Sequence, residues 1–184
     1  LPWNKKGKTF WVSTFCGGST RCPSQGTFFY NNTVYVGSTL NPEIYVWPAA
    51  GDVYIMNNLI YMESQGDVLE TLLENQDNEY VVSNNLFYPS SRIDLDEDLG
   101  QSAFLVNPLV VEPSELYPLQ SALGFQLQPN SPALENGVPI VGSNNPLQFL
   151  MNNGGQDFFG QVVSSDTPPS IGAVQSSVCG VGSE

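Results

Sequence analysis

Three asparagine pairs constrain this chain more than any other feature. Asn31-Asn32, Asn57-Asn58 and Asn84-Asn85 recur at steps of 26 and 27 residues, inside the runs FFYNNTVYV, YIMNNLIYM and VVSNNLFYP. The flanks repeat as well. Two residues before each pair stand Phe29, Ile55 and Val82; beyond it come Val34, Ile60 and Phe87, and then Tyr35, Tyr61 and Tyr88. Periods of this length belong to chains built from stacked units, each too small to bury its own apolar face. The runs are short, β-branched and aromatic, which is strand chemistry. No amphipathic helix recurs with them, so a leucine-rich repeat is excluded.

Asparagine tolerates the left-handed backbone conformation better than other residues that carry a Cβ. A pair between two strands therefore reads as a sharp corner. Corners repeated in register bring amides above one another, where they can hydrogen-bond along the stack as in cross-β ladders. About three short strands per 26-residue turn describe a parallel β-helix, and the fold class expected is all-β. Val34, Ile60 and Phe87 should stack inside it. The expected organisation is an N-terminal segment with an incomplete first rung (1–27), stacked rungs (28–113), and a closing region and tail (114–184).

The order of motifs from about Gly26 to Val174 resembles the C-terminal part of right-handed parallel β-helix proteins of the pectate-lyase-like superfamily. After the asparagine rungs come FLVNPLVVEP, with Asn107-Pro108, then FQLQPNSPALENGVPI, DFFGQ and PSIGA. The Ser-Pro-Ala turn and the Gly-Ala strand resemble the way that family closes its last rung. Leu134-Glu135 and Ser170 depart from it, standing where the family often has Ile-Asp and Asp. The resemblance implies a right-handed coil and a carbohydrate-related role, either binding polysaccharide or forming the C-terminal scaffold of a lyase-like protein.

Composition narrows the partners. The 184 residues carry 18 acidic and five basic side chains, a net charge of −13, yet only 12% are charged and 41% are hydrophobic. That is enough apolar content for a core. Four of the five cations (Lys5, Lys6, Lys8, Arg21, Arg92) lie in the first 21 residues. Without a basic stripe, nucleic acid is not an expected partner, and acidic polysaccharides are repelled by most of this surface. No run is long and apolar enough to insert in a membrane, and no signal peptide is present, as if the chain had been processed or cut from something longer. The composition suits an extracellular or cell-surface protein. Cys16 and Cys22 flank a glycine-rich turn and could close a small disulfide loop; Cys179 is left over. Three cysteines without a histidine do not make a normal zinc site.

Several residues carry candidate chemistry. Tyr35, Tyr61 and Tyr88 form a file that either stacks between rungs or, pointing outward, offers a surface to sugar rings, with Trp3, Trp11 and Trp47 able to add to it. Asp94, Asp96 and Asp98 alternate before a glycine, either as calcium ligands or as a solvated acidic loop. The lyases of the resembled superfamily use a Lys or Arg base, and only Arg92 lies outside the basic N-terminal segment. Carboxylates are plentiful (Asp52, Glu63, Asp67, Glu70, Glu74 and Asp77 among them), but nothing in the sequence pairs two of them as a glycosidase requires. The absence of histidine excludes a histidine-based triad. Catalysis, if the parent chain has any, is expected on rungs upstream. Asn31-Asn32-Thr33 fits a glycosylation acceptor, but its asparagine is a corner. Gly154-Gly155 reads as a turn, with no helix after it to hold phosphate. The alternative to a carbohydrate role is a structural or adhesive protein that self-assembles through exposed strand edges. Either upstream rungs or another subunit should cover the N-terminal edge.

Overall fold

The structure is a computed structural model that describes residues 6–13, 22, 24–47, 50–63, 68–73, 80–95, 102–113, 122–139, 155–164 and 167–175. Among the described residues ten strands run in chain order: β1 (Lys6–Val12), β2 (Gln25–Tyr30), β3 (Thr33–Val36), β4 (Asn41–Val46), β5 (Gly51–Met56), β6 (Leu59–Met62), β7 (Leu69–Leu73), β8 (Tyr80–Ser83), β9 (Leu86–Tyr88) and β10 (Ile93–Asp94), with a 3-10 turn at Ser90–Arg92 and a short helical turn at 122–124. They form three sheets, ordered β1-β4-β7-β10, β2-β5-β8 and β3-β6-β9. Every strand pairing is parallel, and each strand lies beside the one three places later. The expected all-β class with parallel pairing is therefore what the chain adopts.

The register follows the sequence repeat. Val34 pairs with Ile60 and Ile60 with Phe87; Tyr35 pairs with Tyr61 and Tyr61 with Tyr88. Strand side chains alternate between faces, so one face of each strand looks into the space between the three sheets. Ile44, Val46, Val53, Ile55, Ile60, Met62, Leu69 and Phe87 fill that space, with Phe10 stacked on Phe29 at 4.6 Å. Ile60 and Phe87 are fully buried, and Val34 packs beside them.

The asparagines turn the corner between the second and third sheets. Asn31, Asn57 and Asn84 have φ values of 53°, 54° and 51°, the left-handed conformation asparagine tolerates. Their neighbours form a ladder. Asn32 donates from its backbone N–H and its Nδ2 to Asn58 Oδ1, at 3.1 and 2.9 Å. Asn58 does the same toward Asn85 Oδ1, at 3.0 and 2.9 Å. The remaining amide hydrogens go to carbonyls of the preceding strands: Asn58 Nδ2 to Phe29 and Asn85 Nδ2 to Ile55. Asn58 and Asn85 are buried and satisfied, as buried amides must be.

The chain beyond β10 returns to this corner. Leu59 and Leu86, on the outer face of the third sheet, pack against Val110, Leu127, Ala133, Ile171 and Val174 in a second core. Asn57 holds Val138 by both backbone groups: its Nδ2 donates to the carbonyl and its Oδ1 accepts from the N–H, each at 2.8 Å. Asn84 Nδ2 donates to the Asn136 carbonyl at 2.8 Å, and the Ala173 N–H donates to Thr33 Oγ1 at 2.9 Å. The first asparagine of each pair thus makes the corner, and two of the three also hold the returning segment.

Candidate functional site

The tyrosine file lies on the outer face of the third sheet. Tyr35 and Tyr61 stack with centroids 6.0 Å apart and planes 11° from parallel; Tyr61 and Tyr88 follow at 5.3 Å and 42°. Phe125, from the returning segment, meets Tyr35 edge-on at 5.7 Å. All three tyrosines are half-buried, and Tyr61 and Tyr88 pack against the second core. The sequence left two roles open for them, and of these the geometry shows the stacking. The rings stack between strands, yet they also line a cleft of about 440 Å³ with Ser38, Glu63 and Pro113. Because the rings cover one another's faces, what they turn toward the cleft is largely edges and hydroxyls.

Among the described residues, Glu63 is the charged group of this cleft. Strand alternation brings it to the same side as Tyr61, two residues earlier. The equivalent places after Tyr35 and Tyr88 are Gly37 and Ser90, so only the central strand carries a carboxylate there. Tyr35 donates its hydroxyl to Glu63 Oε1 at 2.5 Å, and the Ser38 N–H donates to Oε2 at 3.0 Å. The Tyr35 hydroxyl above all, then Ser38 and the charge of Arg92, hold the Glu63 carboxyl below its ordinary range. Burial, with Tyr88 and Glu63 nearby, pushes the Tyr61 phenol up. At neutral pH the described lining therefore offers the Glu63 carboxylate and the protonated Tyr61 phenol.

Arg92, the one cation outside the basic N-terminal segment, has a structural task. Its side chain is buried, and its guanidinium donates to the backbone carbonyl of Glu63. It is a support behind the cleft and does not face it as a free base. Asp52, with a φ of 51°, lies in β5 on a different sheet from Glu63. Asp67, Glu74 and Asp77 lie outside the described residues, and Glu70 is placed only by its backbone in β7.

Trp11 and Trp47 do not extend the tyrosine surface. Trp11 is in β1 and Trp47 follows β4, both on the first sheet, while Trp3 lies outside the described residues. Trp11 is 52% exposed. The Lys8 ammonium sits 5.8 Å from its ring and 5.2 Å from that of Tyr45, and pairs with Glu43. Trp47 meets Tyr45 edge-on at 5.6 Å.

Asp94 is exposed in β10, whereas Asp96 and Asp98 lie outside the described residues; among the described residues no three acidic, histidine or cysteine side chains converge as a metal would need. Cys22 is disulfide-bonded. Cys16 and Cys179, either of which could be its partner within the chain, both lie outside the described residues. No helix among the described residues is long and apolar enough to cross a membrane.

Ser38 had no signal in the sequence, since it follows the repeat unit in a turn. Glu63 did have one: it stands at an outward position of a strand whose register the tyrosines define. Compared with known proteins, the chain matches no family model and no curated protein.

Proposed function

We propose that the chain forms a right-handed parallel β-helix of the pectate-lyase-like kind, and that it serves outside the cell as a carbohydrate-binding module or as the C-terminal scaffold of a polysaccharide-active protein. The observation that carries this reading is the cleft of about 440 Å³, where three tyrosines in register meet an ionised carboxylate. Sugar recognition relies on hydrogen bonds to hydroxyls beside apolar contact, and this lining supplies phenol hydroxyls, a carboxylate and the edges of stacked rings. Three parallel sheets visited in turn, with an asparagine ladder at one corner, support the β-helix. The proposal includes a Cys16–Cys22 bond, which suits an oxidising compartment, and Asp94, Asp96 and Asp98 as ligands of a calcium ion.

A glycan array read with and without calcium tests the function. Binding of neutral or weakly charged glycans, reduced at least about tenfold by Tyr61→Ala, is the expected result. Binding that survives this change moves the site elsewhere.

A second reading is structural: an adhesive or self-assembling protein that joins upstream rungs or another subunit. The observation favouring it is that β1, β2 and β3 each have a strand neighbour on one side only among the described residues, and unpaired edges recruit strands. Absence of glycan binding under either condition, together with ordered polymers by microscopy, decides for it.

A further inference from the structure

We propose that Glu63 sets the ligand selectivity of the tyrosine cleft: its carboxylate accepts hydrogen bonds from the hydroxyls of a neutral glycan and rejects glycans that carry carboxylates of their own. The inference rests on the carbohydrate reading above and names the class of sugar that reading takes.

The mutual stacking of Tyr35, Tyr61 and Tyr88 leaves little ring face for a sugar to cover. Discrimination must then come from polar groups, and Glu63 is the charged one in the lining. Its position is fixed from three directions. Tyr35 holds one carboxylate oxygen, Ser38 the other, and buried Arg92 holds its backbone carbonyl. A carboxylate oxygen can accept two hydrogen bonds. Glu63 accepts from the Tyr35 hydroxyl, the Ser38 N–H and the Ser38 side chain, so a place for a ligand hydroxyl remains on the carboxylate, and the half-buried side chain borders open space.

The same geometry excludes acidic sugars. A uronate in this cleft would set its charge close to that of Glu63. Among the described residues the cation that acts on Glu63 is Arg92, which is buried and donates to the Glu63 backbone carbonyl, so its charge already serves that carboxylate and not a second one. Two like charges about 5 Å apart at a protein–water boundary account for about a tenfold loss of affinity. The carboxyl stays ionised through the neutral range because its hydrogen bonds favour the charged form.

The test compares a neutral galacto-oligosaccharide with the galacturonate oligomer of the same length, by calorimetry at low and high salt. Wild-type protein should bind the neutral oligomer about tenfold tighter, and salt should narrow that gap by screening. Glu63→Gln keeps an acceptor for Tyr35 and removes the charge, so the gap should close mainly through gained galacturonate affinity. It should also lose its salt dependence. An unchanged gap in Glu63→Gln, or equal weakening of both ligands, overturns the inference and leaves the glycan reading standing. Failure of the wild type to bind either oligomer overturns both. The salt series on wild-type protein needs no variant: a gap that does not respond to salt is enough to reject a charge-based mechanism.

Discussion

All four hydrogen-bonding positions of the Asn58 carboxamide are filled: Nδ2 donates to Phe29 O and Asn85 Oδ1, and Oδ1 accepts from the backbone N–H and Nδ2 of Asn32. Nothing smaller can replace it without leaving polar groups unpaired. Asn58→Ala should lower stability by about 3 kcal/mol, read as a shift of the urea midpoint, because several groups lose partners together. An unshifted midpoint would mean that water replaces the amide without cost. Glu63 gives a prediction of a different sign structure. Its folded pKa lies below the ordinary 4.5, so its contribution to stability is complete above that value and is lost as pH falls through the folded pKa. The stability difference between wild type and Glu63→Gln should therefore be largest at neutral pH and shrink on acidification below about 4.5. A difference that grows with acid would contradict the depressed pKa.

At the scale of elements, β6 illustrates both what could be read from the sequence and what could not. Ile60 and Met62 face the interior, and Leu59 and Tyr61 face outward, so the strand is covered on both sides. The inward set was legible because it repeats with Val34 and Phe87 at fixed spacing. The cover on the other side was not. The segment that supplies it is held largely through its backbone, by Asn57 at a separation of 81 residues and by Asn84 at 52. Main-chain contacts impose no pattern on the residues that make them. One position in this segment does carry a constraint. Gly172 has a φ of +100°, and a Cβ there would lie 2.7 Å from Thr33 Oγ1 and 3.0 Å from Leu59 Cβ. Gly172→Ala should cost about 1–3 kcal/mol and raise hydrogen exchange across residues 170–175. Gly160→Ala, also at positive φ but with nothing within 4 Å, should cost less. Equal effects at the two glycines would mean that backbone strain alone, and not crowding at the corner, is what matters.

For the molecule as a whole, two apolar layers share the third sheet, one enclosed by the three sheets and one between the third sheet and the returning segment. The first layer could be inferred from periodicity, together with the corners and the all-β class. The site lies at the border of the second, and so it was only half visible: the tyrosines announced themselves by register, while Ser38 and Phe125 come from non-repeating chain. The roles of Arg92 and Glu63 also depend on that border. Arg92 is the one cation outside the basic N-terminal segment, and burial makes it a brace for the carboxylate's backbone.

The asparagine ladder also has a direction. Between the asparagines, Asn32 and Asn58 each give the backbone N–H and one Nδ2 hydrogen to the asparagine of the repeat that follows, whose Oδ1 accepts both. At its first member, exposed Asn32, both amide hydrogens are already engaged with Asn58 and Tyr30, and Oδ1 accepts none from the described residues. Two copies related by a two-fold axis through this end would set one acceptor against another. A surface that arrives with amide donors, as a preceding repeat would, meets no such conflict. The end is therefore chemically unsuited to isologous pairing and suited to a heterologous neighbour, which gives any assembly built there a polarity along its axis.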